Sequence, residues 1–411
     1  MRALMIRLWF LFLCLTAAAP LWADDGGTDV RPTLETRLDA ILNEAVPRHI
    51  AGAVVIVARN GQILYRKAHG FADREAGRPM EITTVFRLAS VTKPLVAVAA
   101  LRLIDQGRLS LDDPVNRWLP GFTPALPDGR RPVITIRHLL THTAGLNYPF
   151  LEPQDGPYHR LGVGDGLEDN GITLNENIRR IAQAPLLAEP GNQWQYSVAI
   201  DVLGAVIEQV IGQPLPAAIE QLVTGPLGMQ ATRFTATRRE TLTAAYADGN
   251  PQPVRMAARQ VVPFGGSTVV FSPGRVFNPE AFPSGGAGMA GTADDFLRFL
   301  ETLRTGGAPL LQPASTRALF TNAVGKLYAP ARGKGWGWSL MAALVEDPQP
   351  TGSPMRPGSV EWGGAYGHNW WLDPQAGLCG IIFTNTAFAG MSGPFPDLIK
   401  KTVYASLEPV P

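Results

Sequence analysis

Ser90-Val91-Thr92-Lys93 sets a hydroxyl and an amine three positions apart. The run from Ser90 to Gln106 reads as a helix closed by Gly107, so both side chains fall on one face and within reach of each other. A serine is a weak nucleophile until a base takes its proton. Lysine is ordinarily too basic for that work, but a cation in the first helical turn opposes the helix dipole, and burial disfavours the charged form. Both effects favour a neutral amine able to accept a proton. Pro94 is tolerated because first-turn N–H groups have no intrahelical partner. The chemistry this suggests is acyl transfer through a covalent serine ester. Read alone, the same four residues serve equally well as a helix cap followed by a solvated lysine.

Two later stretches change that balance. Tyr196-Ser197 follows Glu189-Pro190-Gly191 and opens a helix from Val198, and Glu361-Trp362-Gly363-Gly364 lies on a late strand. In order, spacing and flanks the three resemble the serine β-lactamase and penicillin-binding-protein superfamily, which carries Ser-x-x-Lys, Tyr-x-Asn and Lys-Thr-Gly. Family-like stretches also include Leu139 to Leu146, Pro226-Leu227-Gly228-Met229 and Gly285 to Met289, so the resemblance spans about residues 35 to 407. Tyr196-Ser197-Val198, Trp362 to His368, Thr384-Asn385-Thr386 and Gly390 to Gly393 look most like the family VIII carboxylesterases.

The resemblance implies roles residue by residue. Ser90 matches the acylated nucleophile, Lys93 the base, and Tyr196 the phenol that relays protons. The oxyanion hole would be the N–H groups of Ser90 and Ala365, a pair worth a few kcal/mol to a developing oxyanion. Gly363 and Gly364 would let an acyl group approach the strand closely. Two departures bear on substrate. Trp362 stands where β-lactamases place the Lys that attracts a β-lactam carboxylate, and Val198 stands where they place Asn. An aromatic wall and an apolar residue favour an uncharged acyl or alkoxy group, which moves the reading from β-lactams to esters. His368, four residues after Gly364, is a further candidate to face the site, against a structural histidine.

The elements that must position these groups can be read in outline. Gly52 to Ala58 and Gln62 to Lys67 form a hairpin around Asn60-Gly61. Helices are expected over Val198 to Ile211, Pro216 to Val223, Asp294 to Leu303 and Pro396 to Leu407, the last with Leu398, Ile399, Val403 and Leu407 on one side. Strands are expected over Gly335 to Val345, Val360 to Gly364, His368 to Leu372 and Leu378 to Thr384. The irregular segment Asn147 to Gly171 is long enough to be a lid or pocket wall, with Tyr148, Phe150, Tyr158 and His159 as lining candidates. A surface loop with its own small core is the alternative. Strands at both ends with helices between imply an α+β fold: an antiparallel sheet from residues 24–111 and 291–411, flanked by helices, with a helix-rich inserted domain at 112–290. The resemblance implies the β-lactamase/transpeptidase-like version of it.

Several decoys carry nothing. Arg304-Thr305-Gly306 ends a helix and is not the third motif, Gly162 to Gly166 is not a phosphate loop, and no Gly-x-Ser-x-Gly occurs. The six histidines show no paired ligand spacing, so no metal is expected; His142 reads as structural. Trp336, Trp338, Trp370 and Trp371 read as core aromatics.

The chain has 411 residues, with 36 Lys plus Arg against 35 Asp plus Glu, 43 Gly and 36 Pro. Balanced charge and ordinary apolar content exclude disorder and give a nucleic-acid binder no basic footprint. Arg2 and Arg7, the apolar run Leu8 to Ala19, and Ala23 before Asp24-Asp25 are laid out as a signal peptide over residues 1–23, with cleavage after Ala23 or Ala19. The run is too short to span a bilayer, so no stable membrane anchor is expected after cleavage. Cleavage removes Cys14 and leaves Cys379 alone, so no intramolecular disulfide can form. The expectation is a periplasmic or secreted serine hydrolase that cleaves short-chain carboxylic esters through an acyl-enzyme, with a small-molecule ester as its partner and no cofactor. Alternatives are a class C-like β-lactamase, a D-alanyl-D-alanine peptidase, or a sensor of such ligands without turnover. An acyltransferase shares the same residues, and no motif specifies an oligomeric state.

Overall fold

The computed structural model describes residues 32–407; the signal segment 1–23 and Cys14 lie outside them. The strands of the main sheet are β1 (Gly52–Arg59), β2 (Gln62–Asp73), β3 (Arg78–Pro79), β4 (Trp336–Trp338), β5 (Ala343–Val345), β6 (Val360–Gly364), β7 (His368–Asp373) and β8 (Leu378–Thr384). Their spatial order is β4-β5-β6-β7-β8-β1-β2-β3, every neighbour antiparallel. The first strand of the chain therefore sits beside the last, with Val54 opposite Phe383 and Ile56 opposite Ile381. This is the α+β sheet with both chain ends in it.

Side-chain alternation explains why both faces need cover. Val54, Ile56, Ile381 and Phe383 point into one apolar cluster; Val55, Val57 and Ile382 point into another. The first cluster is completed by α2 (Thr92–Asp105), α3 (Ala199–Ile211) and α4 (Ala293–Arg304). The second is completed by α1 (Leu34–Ala45) and α5 (Pro394–Ala405), which pack on each other. Strands buried on both faces read as continuous apolar runs, and Gly52 to Ala58 is such a run. The Asn60-Gly61 turn has φ of 52° and 79°, the double left-handed turn that this dipeptide favours.

Segment 112–290 carries short helices, among them Ile136–Leu140, Leu174–Gln183 and Leu215–Ile219, besides α3. It also holds a hairpin that was not expected, Gln260–Phe264 with Ser267–Phe271.

Several boundaries shift for local reasons. The expected strand Gly335 to Val345 is broken into β4 and β5, because Ser339 Oγ accepts from the N–H groups of Met341 and Ala342 at 3.1 and 3.2 Å and folds the chain back. The expected helix from Ser90 begins as a 3-10 turn, Ala89–Val91, before α2. The helix after Leu215 changes pitch to a π-turn over Glu220–Thr224. Leu398 points to solvent, 48% exposed, while Ile399 and Val403 of the same helix are buried. Trp338, Trp370 and Trp371 are core residues, as is Cys379.

Candidate active site

Ala89 has a left-handed backbone, φ 46°, which a non-glycine residue seldom adopts. That kink turns the chain out of Phe86–Arg87 and into the 3-10 turn, setting Ser90 at the mouth of α2. Lys93 follows in the first turn of α2, only 2% exposed. Its Nζ donates to Ser90 Oγ at 3.1 Å and to the Gly286 carbonyl at 2.7 Å. The Nζ also lies 4.7 Å from the Tyr196 ring centre and 5.3 Å from that of Tyr148. Tyr196 comes from the loop before α3, and its hydroxyl donates to Ser90 Oγ at 2.7 Å. Lys93 and Tyr196, far apart in the chain, thus converge on the Ser90 oxygen.

The supporting contacts extend outward. Trp362 Nε1 donates to Tyr196 Oη at 3.4 Å, and its ring lies 5.2 Å from the Tyr196 ring. His142 sits under Tyr196 with ring centres 4.9 Å apart. Burial, with Lys93 adding to it, holds the His142 imidazole well below its ordinary pKa, so it is neutral at pH 7. Asp201 on α3 is wholly buried; its Oδ1 accepts from Ser284 Oγ at 2.5 Å and from Gly286 N–H at 3.3 Å. The Gly286 peptide therefore holds Lys93 by its carbonyl and is held by Asp201 through its N–H. Burial raises the Asp201 carboxyl's pKa, against the Ser284 hydrogen bond and the charge of Lys93.

Strand β6 passes the nucleophile closely. A Cβ on Gly364 would fall 2.5 Å from the Leu88 carbonyl oxygen, so only glycine lets β6 meet the turn that carries Ser90. Just beyond, the N–H groups of Ser90 and Ala365 have no acceptor among the described residues. They are free to serve as the two donors of an oxyanion hole.

Ser90 opens into a cavity of about 550 Å³ lined mostly by apolar side chains, the size and character of a small-molecule site. Two apolar clusters form its walls. Trp194, Tyr328 and Trp362 belong to one; Phe150, Leu167, Phe264, Val269, Ala365 and Phe388 belong to the other. Tyr148 and Gly363 also line it, as expected. The lining carries one cation, Arg332, and that guanidinium is paired with Glu361.

Several expectations fail. Val198 does not touch the cavity, because it begins α3 and is fully buried in the core. His368 turns away from it: Nε2 bonds the Arg87 carbonyl oxygen at 2.7 Å, and the ring packs against Phe86 and Phe383. Burial lowers its pKa to about 4. Gly364 lies against the Ser90 turn and not in the lining. Tyr158 is likewise a core residue, its hydroxyl accepting from Asn147 N–H at 2.9 Å.

Other residues went unread in the sequence. Asp201 had a signal, being the lone charge in the apolar run Val198 to Ile207. Phe264 had none, since it ends a hairpin strand with no motif, and Phe388 lies inside the family-like stretch Thr384 to Gly393 without being singled out.

Comparison with known proteins agrees with this geometry. Residues 36–398 match the β-lactamase family model. The chain is 51% identical over 378 residues to an esterase, EstB, from Burkholderia gladioli, covering 91% of this chain and 96% of that protein. It is 30% identical over 378 residues to monacolin J acid methylbutanoyltransferase from Aspergillus terreus, covering 82% and 86%. Among solved structures it superposes on EstCE1, a hydrolase with promiscuous acyltransferase activity, with a TM-score of 0.88 and 47% identity, covering 90% and 98% of the two chains.

Proposed function

Since the chain belongs to the β-lactamase family, we propose that it works within it as a serine carboxylesterase, hydrolysing short-chain esters through an acyl-enzyme. The observation that carries this reading is the convergence of Lys93 Nζ and Tyr196 Oη on Ser90 Oγ beside an apolar cavity whose lining cation is already paired.

In the proposed cycle the Ser90 proton passes to Lys93 Nζ while Oγ attacks the ester carbonyl. The oxygen turns negative against the Ser90 and Ala365 N–H groups. The tetrahedral adduct collapses as Tyr196 delivers a proton to the departing alkoxide, leaving an acyl ester on Ser90. Water then attacks that ester, the same groups handling its proton, and the acid is released. The Asp201–Gly286 link keeps Lys93 aimed at Oγ. Trp362 gives a β-lactam carboxylate no cation to meet, and Glu361 neutralises Arg332. The signal-peptide layout of residues 1–23 supports export to the periplasm or medium.

The test is turnover of p-nitrophenyl butyrate and nitrocefin, side by side. Ester turnover that exceeds nitrocefin turnover supports the reading. Faster nitrocefin turnover would replace it with a β-lactamase.

A further inference from the structure

Asp165 is the one charged side chain in the cavity lining with no ion pair within 4.0 Å among the described residues, since Arg332 and Glu361 pair with each other and the buried Arg275 acts on Asp165 only from farther off. It is only 8% exposed. Its Oδ1 accepts from the N–H groups of Leu167 and Glu168 at 2.9 and 3.3 Å, which fixes the side chain in a tight turn. Oδ2 has no hydrogen-bond partner among the described residues, yet it is not among the unpartnered atoms sealed off by protein. It therefore borders open space, and the space beside Asp165 is the cavity.

The surroundings make that oxygen conspicuous. Phe150, Leu167, Phe264 and Val269 form the wall on this side, all apolar. A buried carboxyl in such a wall is costly unless something bonds it. Burial pushes the Asp165 carboxyl up to about 6, against its two backbone N–H bonds. The turn needs Oδ1 alone, and an asparagine would supply it as well, so the fold does not account for Oδ2.

On the esterase reading above, we propose that Asp165 makes the enzyme selective for esters whose acyl chain carries a hydroxyl group, with Oδ2 accepting that hydroxyl's hydrogen bond. The acyl chain is placed here by the chemistry of Ser90. Tyr196, the donor to the departing oxygen, packs on Trp194 and Trp362, whereas the turn at Asp165 leads into Leu167, which clusters with Phe264 and Val269; on this proposal the alcohol leaves past the indoles and the acyl chain lies along the second cluster. A hydroxyl fits better than an ammonium. The rings on this side stack on each other, Phe264 on Phe388 at 4.7 Å, without forming an open cage for a cation. Desolvating an ammonium costs far more than desolvating a neutral hydroxyl.

The experiment compares kcat/KM for p-nitrophenyl hexanoate with a series of the same ester hydroxylated at successive acyl carbons. Each ratio is taken within one protein preparation, so a partly folded variant does not distort it. Wild type should prefer the best hydroxylated ester by roughly 10- to 100-fold. Asp165→Leu should bring the ratio to one or below. Asp165→Asn should keep a preference, because the amide that replaces Oδ2 can donate to the hydroxyl oxygen. A wild-type ratio of one, or a ratio unmoved by Asp165→Leu, overturns the inference. So does a preference for an aminated chain that Asp165→Asn abolishes, since that marks a cation site. Absence of Ser90-dependent turnover of plain hexanoate would instead sink the esterase reading, and this inference with it.

Discussion

Asp201 and Glu361 are both buried carboxylates close to Ser90, one on the helix side and one on the sheet side, and burial pushes the pKa of each upward. Their outcomes are opposite. Glu361 receives Lys400 Nζ at 2.6 Å and the Arg332 guanidinium, and these cations overcome burial and hold it at about 2. Asp201 has a hydroxyl and one backbone N–H on Oδ1, nothing on Oδ2, and its pKa stays raised. The difference separates scaffold from machinery. Glu361 ties β6 to α5 and to the Ala329–Arg332 turn, and its charges cancel locally. Asp201 keeps an unpartnered oxygen because its neighbour is the peptide that aims Lys93.

The largest effect should come from the helix side. Ser90→Ala or Lys93→Ala should lower kcat for p-nitrophenyl butyrate by at least about a thousandfold, since groups that act as a unit fail together. The urea midpoint of Ser90→Ala should move little, because no buried charge loses its partner, whereas Lys93→Ala also removes the cation that offsets the buried Asp201 carboxyl and should lower its midpoint.

On the sheet side the loss should appear in stability. Glu361→Ala leaves Lys400 only the exposed Asp397, at 3.4 Å, and takes the carboxylate from Arg332, and breaking a buried pair costs about 3–5 kcal/mol. Urea unfolding checks this. The pH dependence follows from the sign of the shift. Glu361 titrates below its ordinary 4.5 when folded, so it stabilises the protein above that pH, and the contribution is lost as pH falls toward about 2. Wild type should lose more stability across that window than Glu361→Gln does.

Asp201→Asn sharpens the contrast. The amide keeps an acceptor for Ser284 and Gly286 but removes the charge beside Lys93. We expect kcat to fall about 10- to 100-fold. The Asp201 carboxyl titrates above its ordinary 3.8 when folded, so its ionisation opposes folding as pH rises through the folded pKa. Above that pH Asp201→Asn should be no less stable than wild type in a thermal melt, the reverse of Glu361→Ala.

The smallest effect belongs to Ala89. Glycine adopts φ 46° without strain, so Ala89→Gly should stabilise the fold by up to about 1 kcal/mol. If the strain positions Ser90, kcat should drop severalfold at the same time; a rise in both would show that the kink does no positioning.

Much of this was legible in the residues. The apolar runs at Gly52 and Leu378 announced central strands, Asn60-Gly61 announced the hairpin, and Ser90, Lys93 and Tyr196 stood in recognisable flanks. What failed depended on direction. A run such as Val198 onward shows that a residue is apolar, not whether it faces a cavity or the core, and the start of α3 turned Val198 inward. His368 followed the strand's alternation away from the site into the Phe86–Phe383 layer. Gly335 to Val345 read as one strand because the Ser339 turn depends on a hydroxyl reaching forward, which apolar periodicity does not register. Asp165 sat in an irregular segment, and only three-dimensional packing shows that it lines the cavity.

The central claim is that Ser90 carries the acyl group. Mature enzyme mixed with p-nitrophenyl butyrate and quenched in acid during the first turnovers should gain the mass of one butyryl group, on the peptide that contains Ser90, and Ser90→Ala should gain none. Butyryl on another residue, or continued ester turnover by Ser90→Ala, would contradict the account.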